Sequence, residues 1–173
     1  MIETERLVLR RWRPADASPL AAINADPEIA YWLGGPVFAA DPGQAERYNA
    51  SIDQHGFGRY AVTRREDKAL IGAVGPMPIG AGLPVSGFEI GWRIARSAWG
   101  RGYAAEAARA AMAQAFARGV EEMLAFTAET NFRSQAVMAK LGLARDPSRD
   151  FDHPRLEEGD PLRRHIVYAM RRP

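Results

Sequence analysis

The residues with the clearest chemical potential form a glycine loop at the start of a helix. An apolar extended stretch ends near Ile94, Gly100 and Gly102 follow, and an alanine-rich segment comes next. The first turn of a helix leaves backbone N–H groups without a helical partner, and the positive end of the helix dipole lies there. Such donors attract a phosphate or pyrophosphate. Together with a second feature downstream, from Asn131 to Gly142, the loop indicates a nucleotide-bearing cofactor. For the loop alone, a strand–helix turn that needs glycine only for its backbone is the favoured interpretation.

Two common phosphate loops do not match this segment. A Rossmann loop requires a third glycine where this chain has Ala105, and it follows a first strand rather than lying past mid-chain. A Walker loop requires Gly-Lys followed by Ser or Thr, which the sequence lacks.

Three segments carry a more specific pattern. Residues 99–107 are Trp-Gly-Arg-Gly-Tyr-Ala-Ala-Glu-Ala, residues 131–134 are Asn-Phe-Arg-Ser with Leu-Gly-Leu at 141–143, and residues 4–10 are Thr-Glu-Arg-Leu-Val-Leu-Arg. In this order and spacing they resemble the GNAT acetyltransferase superfamily, and in particular its branch that acetylates the N-termini of ribosomal proteins. Ser97 departs from the family's loop, which begins with Gln or Arg, and Arg101 stands where the branch often has Lys.

The order of elements and the resemblance together predict an α/β (α+β) fold of the GNAT type in one domain over residues 1–173. We expect a mixed, mostly antiparallel sheet of six to seven strands flanked by about four helices. The strand–helix–strand unit over 87–128 should be parallel, and the resemblance implies that its two strands splay apart to admit the cofactor. Two local expectations concern Asp41 as an N-cap with Pro42 at the first helical position, and a strand within 143–152.

The resemblance implies acetyl-coenzyme A (acetyl-CoA) as the co-substrate. Backbone amides of residues 99–104 would hold the pyrophosphate, and the strand end near Ile94 would pair with the pantetheine amides. Trp99 is also interpreted as a packing anchor, and Arg101 as a solvated side chain. The expected cofactor-binding residues are Ile94, Trp99, Gly100, Arg101, Gly102, Ala104, Asn131 and Ser134.

Two residues at the next helix start have both a structural and a functional interpretation. Asn131 fits a helix N-cap, and the resemblance implies an amide contact to pantetheine. Ser134 fits an ordinary first-turn position, and the resemblance places it near the departing thiolate, where it would donate a proton or hydrogen bond.

Acetyl transfer to an amine needs a base, because the amine is mostly protonated at neutral pH. Glu89 is the candidate, since it lies on the strand that leads to the glycine loop; a surface position or an ion pair with an arginine such as Arg93 is the alternative. The chain has no cysteine, which excludes an acetyl-cysteine intermediate and favours direct transfer in a ternary complex. Trp32 and Tyr60 are candidates for the acceptor pocket or for core packing.

Composition limits the remaining function classes. The 173 residues are 47% hydrophobic and 25% charged, with a formal net charge of +2, as in an ordinary globular protein. No apolar run approaches the ~20 residues of a membrane span, three scattered histidines give no metal-ligand spacing, and the start does not resemble a signal peptide, so we expect a cytoplasmic protein without a metal. Acidic residues interspersed with the arginines argue against nucleic acid as a partner.

The sequence therefore predicts an N-acetyltransferase that moves acetyl from acetyl-CoA to a primary amine. A protein N-terminal α-amine is the leading acceptor by resemblance. A small-molecule amine, such as an amino acid, polyamine or drug, is the alternative, because acceptor loops vary most. A non-catalytic acyl-CoA-binding module is a hypothesis of another class. Oligomeric state has no signal in the sequence.

Overall fold

A single twisted sheet organises the protein, seen in a computed structural model that describes residues 1–35 and 41–173. Its order is β1-β2-β3-β4-β5-β6-β9-β7, with β8 also paired to β9. All neighbours are antiparallel except β5 and β6, which are parallel. The strands are β1 (Ile2–Glu3), β2 (Leu7–Arg10), β3 (Tyr60–Arg64), β4 (Leu70–Pro78), β5 (Phe88–Ile94), β6 (Glu122–Ala128), β7 (Ala144–Arg145), β8 (Phe151–Asp152) and β9 (Arg164–Arg171).

Five α-helices in the described part of the chain pack on this sheet. They are α1 (Ala17–Asn24), α2 (Pro27–Trp32), α3 (Gln44–His55), α4 (Tyr103–Ala117) and α5 (Phe132–Leu141). The predicted mixed, mostly antiparallel sheet with one parallel pair is confirmed. The nine strands exceed the expected six to seven because three of them have only two residues, too short to give an alternating pattern.

One local prediction was wrong, and a second differs from the structure in detail. Helix α3 begins at Gln44 with Gly43 at its N-cap, because the Asp41 carboxylate accepts a hydrogen bond from the Gly43 amide at 3.1 Å and forms a turn ahead of the helix. The segment 143–152 is not one strand. It forms β7 and β8 on either side of a 3₁₀ turn that begins at Pro147, whose ring nitrogen has no N–H to donate to a ladder.

Side chains alternate across β5 and give the sheet two different faces. The even-numbered residues, Phe88 to Ile94, pack in the main core with α4. Helix α4 approaches closely because five of its eight buried residues are alanine. The opposite face packs against α1 and α3 through a second cluster that includes Trp12, Leu20 and Tyr48. The odd-numbered residues of β5 therefore lie on the face of α1 and α3.

The parallel pair β5–β6 is joined only at its beginning. Phe88 pairs with Met123 and Glu89 with Leu124, and no described pair follows. In contrast, β4 pairs with every residue of β5 from Phe88 to Ile94, and β9 pairs with every residue of β6. Each strand is thus held by its outer neighbour while the two diverge. The predicted splay creates a gap through the sheet.

The amino-terminal segment is tied to the start of α4 through Glu106. Its carboxylate accepts hydrogen bonds from the Thr4 hydroxyl at 2.6 Å, the Arg6 amide at 3.0 Å and the Arg6 Nε at 2.7 Å. Arg6 also donates to the Arg101 carbonyl at 3.0 Å, within the glycine loop. Burial by itself would raise the pKa of Glu106, but the hydrogen bonds from Thr4 and Arg6 outweigh it and hold that pKa below its ordinary value. The ionised carboxylate therefore stabilises the fold.

We predict that Glu106→Gln lowers the free energy of unfolding by about 2 kcal/mol at pH 7, the scale of hydrogen bonds to a charged group. Because the folded pKa is depressed, this contribution is present above the unfolded pKa and is lost as pH falls through the folded one. Urea denaturation from pH 7 to pH 3 should show the gap between wild type and variant closing in acid. Glu121→Gln, at a carboxylate that is 82% exposed, should leave stability unchanged; a gap for Glu106→Gln that is absent or independent of pH would contradict the assignment.

Candidate active site

A cavity of about 500 Å³ occupies the gap between β5 and β6. Its walls come from β5, the end of β6, the glycine loop, the first turn of α4, and helices α2 and α5. This volume lies in the range of small-molecule sites. The cavity crosses the sheet, so one end faces α4 and α5 and the other faces α1 and α2.

The glycine loop forms one wall of this cavity and ends at the start of α4. Gly100 and Gly102 have φ angles of +75° and +80°, a region that L residues other than Gly adopt rarely. A Cβ at Gly100 would meet nothing within 4 Å, so the backbone conformation, not crowding within the protein, requires glycine there. Gly102 is the N-cap, and its carbonyl accepts the Glu106 amide at 3.1 Å. Among the described residues, the N–H groups of residues 103–105 have no acceptor.

Trp99 fixes the loop against the strand. Its indole Nε1 donates to the Ile94 carbonyl at 2.6 Å, and the Arg133 guanidinium lies 4.7 Å from the centre of its ring. Arg133 in turn forms an ion pair with Glu28 of α2. These contacts support the interpretation of Trp99 as a packing anchor. The Ile94 carbonyl already accepts a hydrogen bond from the Trp99 indole. Arg101 does not line the cavity; its side chain is exposed.

Asn131 and Ser134 lie at the start of α5 and line the cavity. The Asn131 Oδ1 accepts a hydrogen bond from the Ser134 amide at 3.1 Å, which is the geometry of an N-cap. Within the described residues, neither the Asn131 Nδ2 nor the Ser134 hydroxyl has a hydrogen-bond partner. Both groups are therefore free to contact a ligand in the cavity.

Glu89 lines the cavity and forms an ion pair with Arg59, not with Arg93. The Arg59 Nη2 donates to the Glu89 Oε1 at 3.1 Å. The guanidinium lies over Gly91, where a Cβ would meet Arg59 Nη2 at 2.1 Å. Burial alone would lower the pKa of Arg59, but attraction to Glu89 and to the Tyr48 side chain outweighs it and holds that pKa above its ordinary value.

Arg93 lines the cavity as Arg59 does. Its Nη1 donates to the Asn24 Oδ1 and to the Gln44 Oε1, each at 2.7 Å. Burial lowers the pKa of Arg93, the Tyr48 side chain opposes that shift, and the nearby Arg59 adds to it. A guanidinium nevertheless remains charged at any physiological pH. Sequence reasoning did not assign Arg59 or Arg93 to the site. The available signal was alternation, which places Glu89, Gly91 and Arg93 on one face of β5.

The two acceptor-pocket candidates lie in different places. Trp32 lines the cavity from α2. Tyr60 does not: it is buried in the main core, and its hydroxyl donates to Gln114 at 2.5 Å. Burial raises the pKa of Tyr60. Of the expected cofactor-binding residues, all but Arg101 line the cavity together with Glu89.

Residues 1–35 and 41–173 contain no group of three or more His, Cys, Asp or Glu side chains arranged to hold a metal ion. None of their helices is long and apolar enough to cross a membrane.

Comparison with known structures places this fold among acetyltransferases. An acetyltransferase from Agrobacterium tumefaciens str. C58 is 28% identical, with a TM-score of 0.75 over 98% of this chain and 92% of that one. The ribosomal-protein-S5-alanine acetyltransferase from Vibrio fischeri is 18% identical, with a TM-score of 0.73 over 98% and 95%. The microcin C7 self-immunity acetyltransferase MccE, solved with acetyl-CoA and AMP, is 12% identical, with a TM-score of 0.73 over 97% and 93%.

The family assignment rests on the sequence as well as on the fold. The family model for the acetyltransferase (GNAT) domain matches residues 6–144, which include the glycine loop, the splayed strands and the cap of α5. The predicted resemblance is confirmed, and acetyl-CoA is the co-substrate that the family and its solved neighbours indicate. The chain belongs to the GNAT family of acetyltransferases.

Proposed function

We propose that the protein is an N-acetyltransferase that moves the acetyl group of acetyl-CoA to a primary amine in a ternary complex. The observation that carries this proposal is the cavity through the splayed sheet, with free helix N–H groups at one end and the Glu89 carboxylate at the other. A protein N-terminal α-amine is the first acceptor class, supported by the three motifs shared with the ribosomal-protein branch. A small-molecule amine is the second candidate, supported by the basic side chains at the α1–α2 end of the cavity.

The α4 end of the cavity suits the cofactor. The unpartnered N–H groups of residues 103–105 and the dipole of α4 attract the pyrophosphate. Ile94, Trp99, Gly100 and Ala104 line the approach, and the unpaired edge of β5 beyond Glu89 offers backbone groups to the pantetheine amides. Arg101 would add charge from outside the cavity.

Glu89 and Ser134, which both line the cavity, would have complementary roles in the transfer. Acetyl-CoA supplies an activated acyl group. The neutral amine nitrogen attacks the thioester carbonyl carbon, the carbon–sulfur bond breaks, and the amine loses one proton. Glu89 would accept that proton directly or through water, and the Ser134 hydroxyl would donate a proton or hydrogen bond to the departing sulfur.

The decisive experiment is an assay of free coenzyme A thiol released from acetyl-CoA over a panel of amines and N-terminal peptides, with products identified by mass spectrometry. Amine-dependent release with an acetylated product supports the enzyme. Tight binding of acetyl-CoA without release from any amine indicates a non-catalytic binding module instead.

The glycine loop can be tested as the pyrophosphate site by substitution at Gly102. Gly102→Glu should weaken acetyl-CoA binding at least 100-fold in calorimetry, because the carboxylate repels pyrophosphate and the positive φ disfavours the side chain. Gly102→Asn, which tolerates a positive φ better, should bind more tightly than Gly102→Glu. Gly80→Glu places the same charge on an exposed loop with open space around it and should bind as wild type; equal binding by Gly102→Glu rules out the loop as the pyrophosphate site.

For the base, we predict that Glu89→Gln lowers turnover about 100-fold at pH 7. Glutamine retains an oxygen for the hydrogen bond from Arg59 but leaves that largely buried guanidinium without its counter-ion, so circular dichroism and urea denaturation must establish that the variant is folded under the assay conditions. Activity should recover in part at high pH, where free amine accumulates. The matched control is Glu121→Gln, and full activity of folded Glu89→Gln at every pH would show that another group carries the proton.

The start of α5 separates capping from cofactor contact. Asn131→Asp keeps the capping oxygen and loses the Nδ2 donor, so stability should be maintained while acetyl-CoA affinity falls about 10-fold. Ser134→Ala should keep affinity and slow single-turnover acetyl transfer about 10- to 100-fold. Ser86→Ala, at an exposed serine, should change neither quantity. Unchanged affinity in Asn131→Asp would reduce Asn131 to a cap, and an unchanged rate in Ser134→Ala would remove that hydroxyl from the mechanism.

A further inference from the structure

Arg93 lines the cavity but has no counter-ion in the part of the chain that the structure describes. Its two hydrogen bonds both leave from Nη1 and end on the neutral amides of Asn24 and Gln44. No described carboxylate lies within 4.0 Å of its guanidinium, and its Nε is buried without a partner. The sequence of residues 36–40, Pro-Val-Phe-Ala-Ala, adds no acidic side chain.

The neighbouring charges do not compensate Arg93. The nearest carboxylate on the same face of β5 is Glu89, and it is paired with Arg59 at 3.1 Å. The Arg59 guanidinium lies over Gly91, between Glu89 and Arg93 along the strand. Arg93 is half-buried, and removing a charge from water without a counter-ion is unfavourable. Burial lowers the pKa of Arg93, and repulsion from the Arg59 guanidinium lowers it further against the attraction of the Tyr48 side chain. The cost is relieved if a ligand brings a negative charge.

The position of Arg93 assigns that ligand to the acceptor and not to the cofactor. Arg93 is on the odd-numbered face of β5, which packs toward α1 and α3, and it is bonded to one residue from each of those helices. Helix α4 packs on the even-numbered face of β5, so the N–H groups at its start lie on the opposite side of the sheet from the Arg93 side chain. Coenzyme A phosphates bound at α4 would therefore leave Arg93 uncompensated.

We propose that the acetyl acceptor is an amine that also carries a carboxylate, and that Arg93 binds this carboxylate. The inference rests on the proposed function and narrows its substrate class. Arg59 and Glu89 already neutralise each other, so Arg93 leaves one positive charge to be balanced at this end of the cavity. A carboxylate supplies one negative charge, whereas a doubly charged phosphate would supply one too many. The planar guanidinium also suits a carboxylate geometrically.

The spacing along β5 orients such an acceptor. Glu89 and Arg93 are four residues apart on one face, or about 13 Å between their Cα atoms at the usual strand rise. The carboxylate would bind beside Arg93 while the amine points toward Glu89 and the middle of the cavity. Arg93 is thus a specificity residue, and it takes no part in the transfer of the proton or the acetyl group.

Matched pairs of acceptors test this proposal. Free amino acids whose amine and carboxylate are separated by one to five carbons are each compared with the corresponding primary amide, which keeps the amine and loses the charge. A second arm compares short C-terminally amidated peptides with Asp or Asn near the amino terminus. We expect the wild-type kcat/KM to be higher for the acceptor with the carboxylate than for its amide partner. A difference in the first arm identifies a free amino acid as the acceptor, and a difference in the second arm identifies an acidic peptide.

The variants separate recognition from folding. Arg93→Gln should raise KM for the carboxylate acceptor about 10- to 100-fold, leave KM for the amide analogue nearly unchanged, and bind acetyl-CoA as wild type. Arg93→Lys should recover part of the preference because it keeps the charge. Arg11→Gln, an exposed arginine paired with Asp53 outside the cavity, should not alter the preference.

The outcomes distinguish this inference from the proposed function. Acetylation of amines with no preference for the carboxylate member, or an equal loss for both members in Arg93→Gln, overturns the role of Arg93 and leaves the N-acetyltransferase intact. No acetylation of any amine overturns the proposed function itself. As a readout that does not depend on turnover, N-acetyl amino acids should bind the protein in calorimetry with coenzyme A present and lose that binding in Arg93→Gln.

Discussion

The divergence of β5 and β6 is the constraint on which the site depends. Two residue pairs join these parallel strands, and beyond Glu89 each follows its outer antiparallel neighbour. A continuous sheet would pair the backbone groups of β5 with β6 and leave no space between the two helical layers. The early end of the pairing leaves a cavity of about 500 Å³ and an unpaired edge on β5. Cofactor and acceptor can then approach the same point from opposite faces of one sheet.

The loop beside this cavity is held by contacts from distant parts of the chain. Arg6 donates both to Glu106 and to the carbonyl of Arg101, and the Trp99 indole donates to the Ile94 carbonyl. These contacts hold two glycines at positive φ, and the N–H groups of residues 103–105 have no acceptor among residues 1–35 and 41–173. A flexible loop would lose entropy on binding an anion, whereas this loop presents its donors in advance.

The odd-numbered face of β5 carries charged side chains where a protein core would carry apolar ones. Glu89, Arg59 and Arg93 line one end of the cavity, yet only the first two form an ion pair. Core packing alone would favour an apolar residue at the position of Arg93. Gly91 gives a separate indication, because any side chain there would displace the Arg59 guanidinium that lies over it. The chain thus retains a charged layer where an apolar one would be more stable.

Local sequence signals were enough to predict several helix ends, the glycine loop and the family of this protein. The cap of α5 by Asn131, the end of α3 at Gly56, the glycine loop before α4 and the family itself were all predictable, because each depends on residues close together in the chain. The ion pair of Glu89 was not, since Arg59, the residue just before β3, lies 30 positions earlier in the chain. The absence of Tyr60 from the cavity was also decided by tertiary structure: strand alternation shows that a side chain faces one side of a sheet, but not whether core or cavity lies there. Periodicity and capping act within a few residues, whereas the counter-ion of a buried charge depends on which strands and helices the fold brings together.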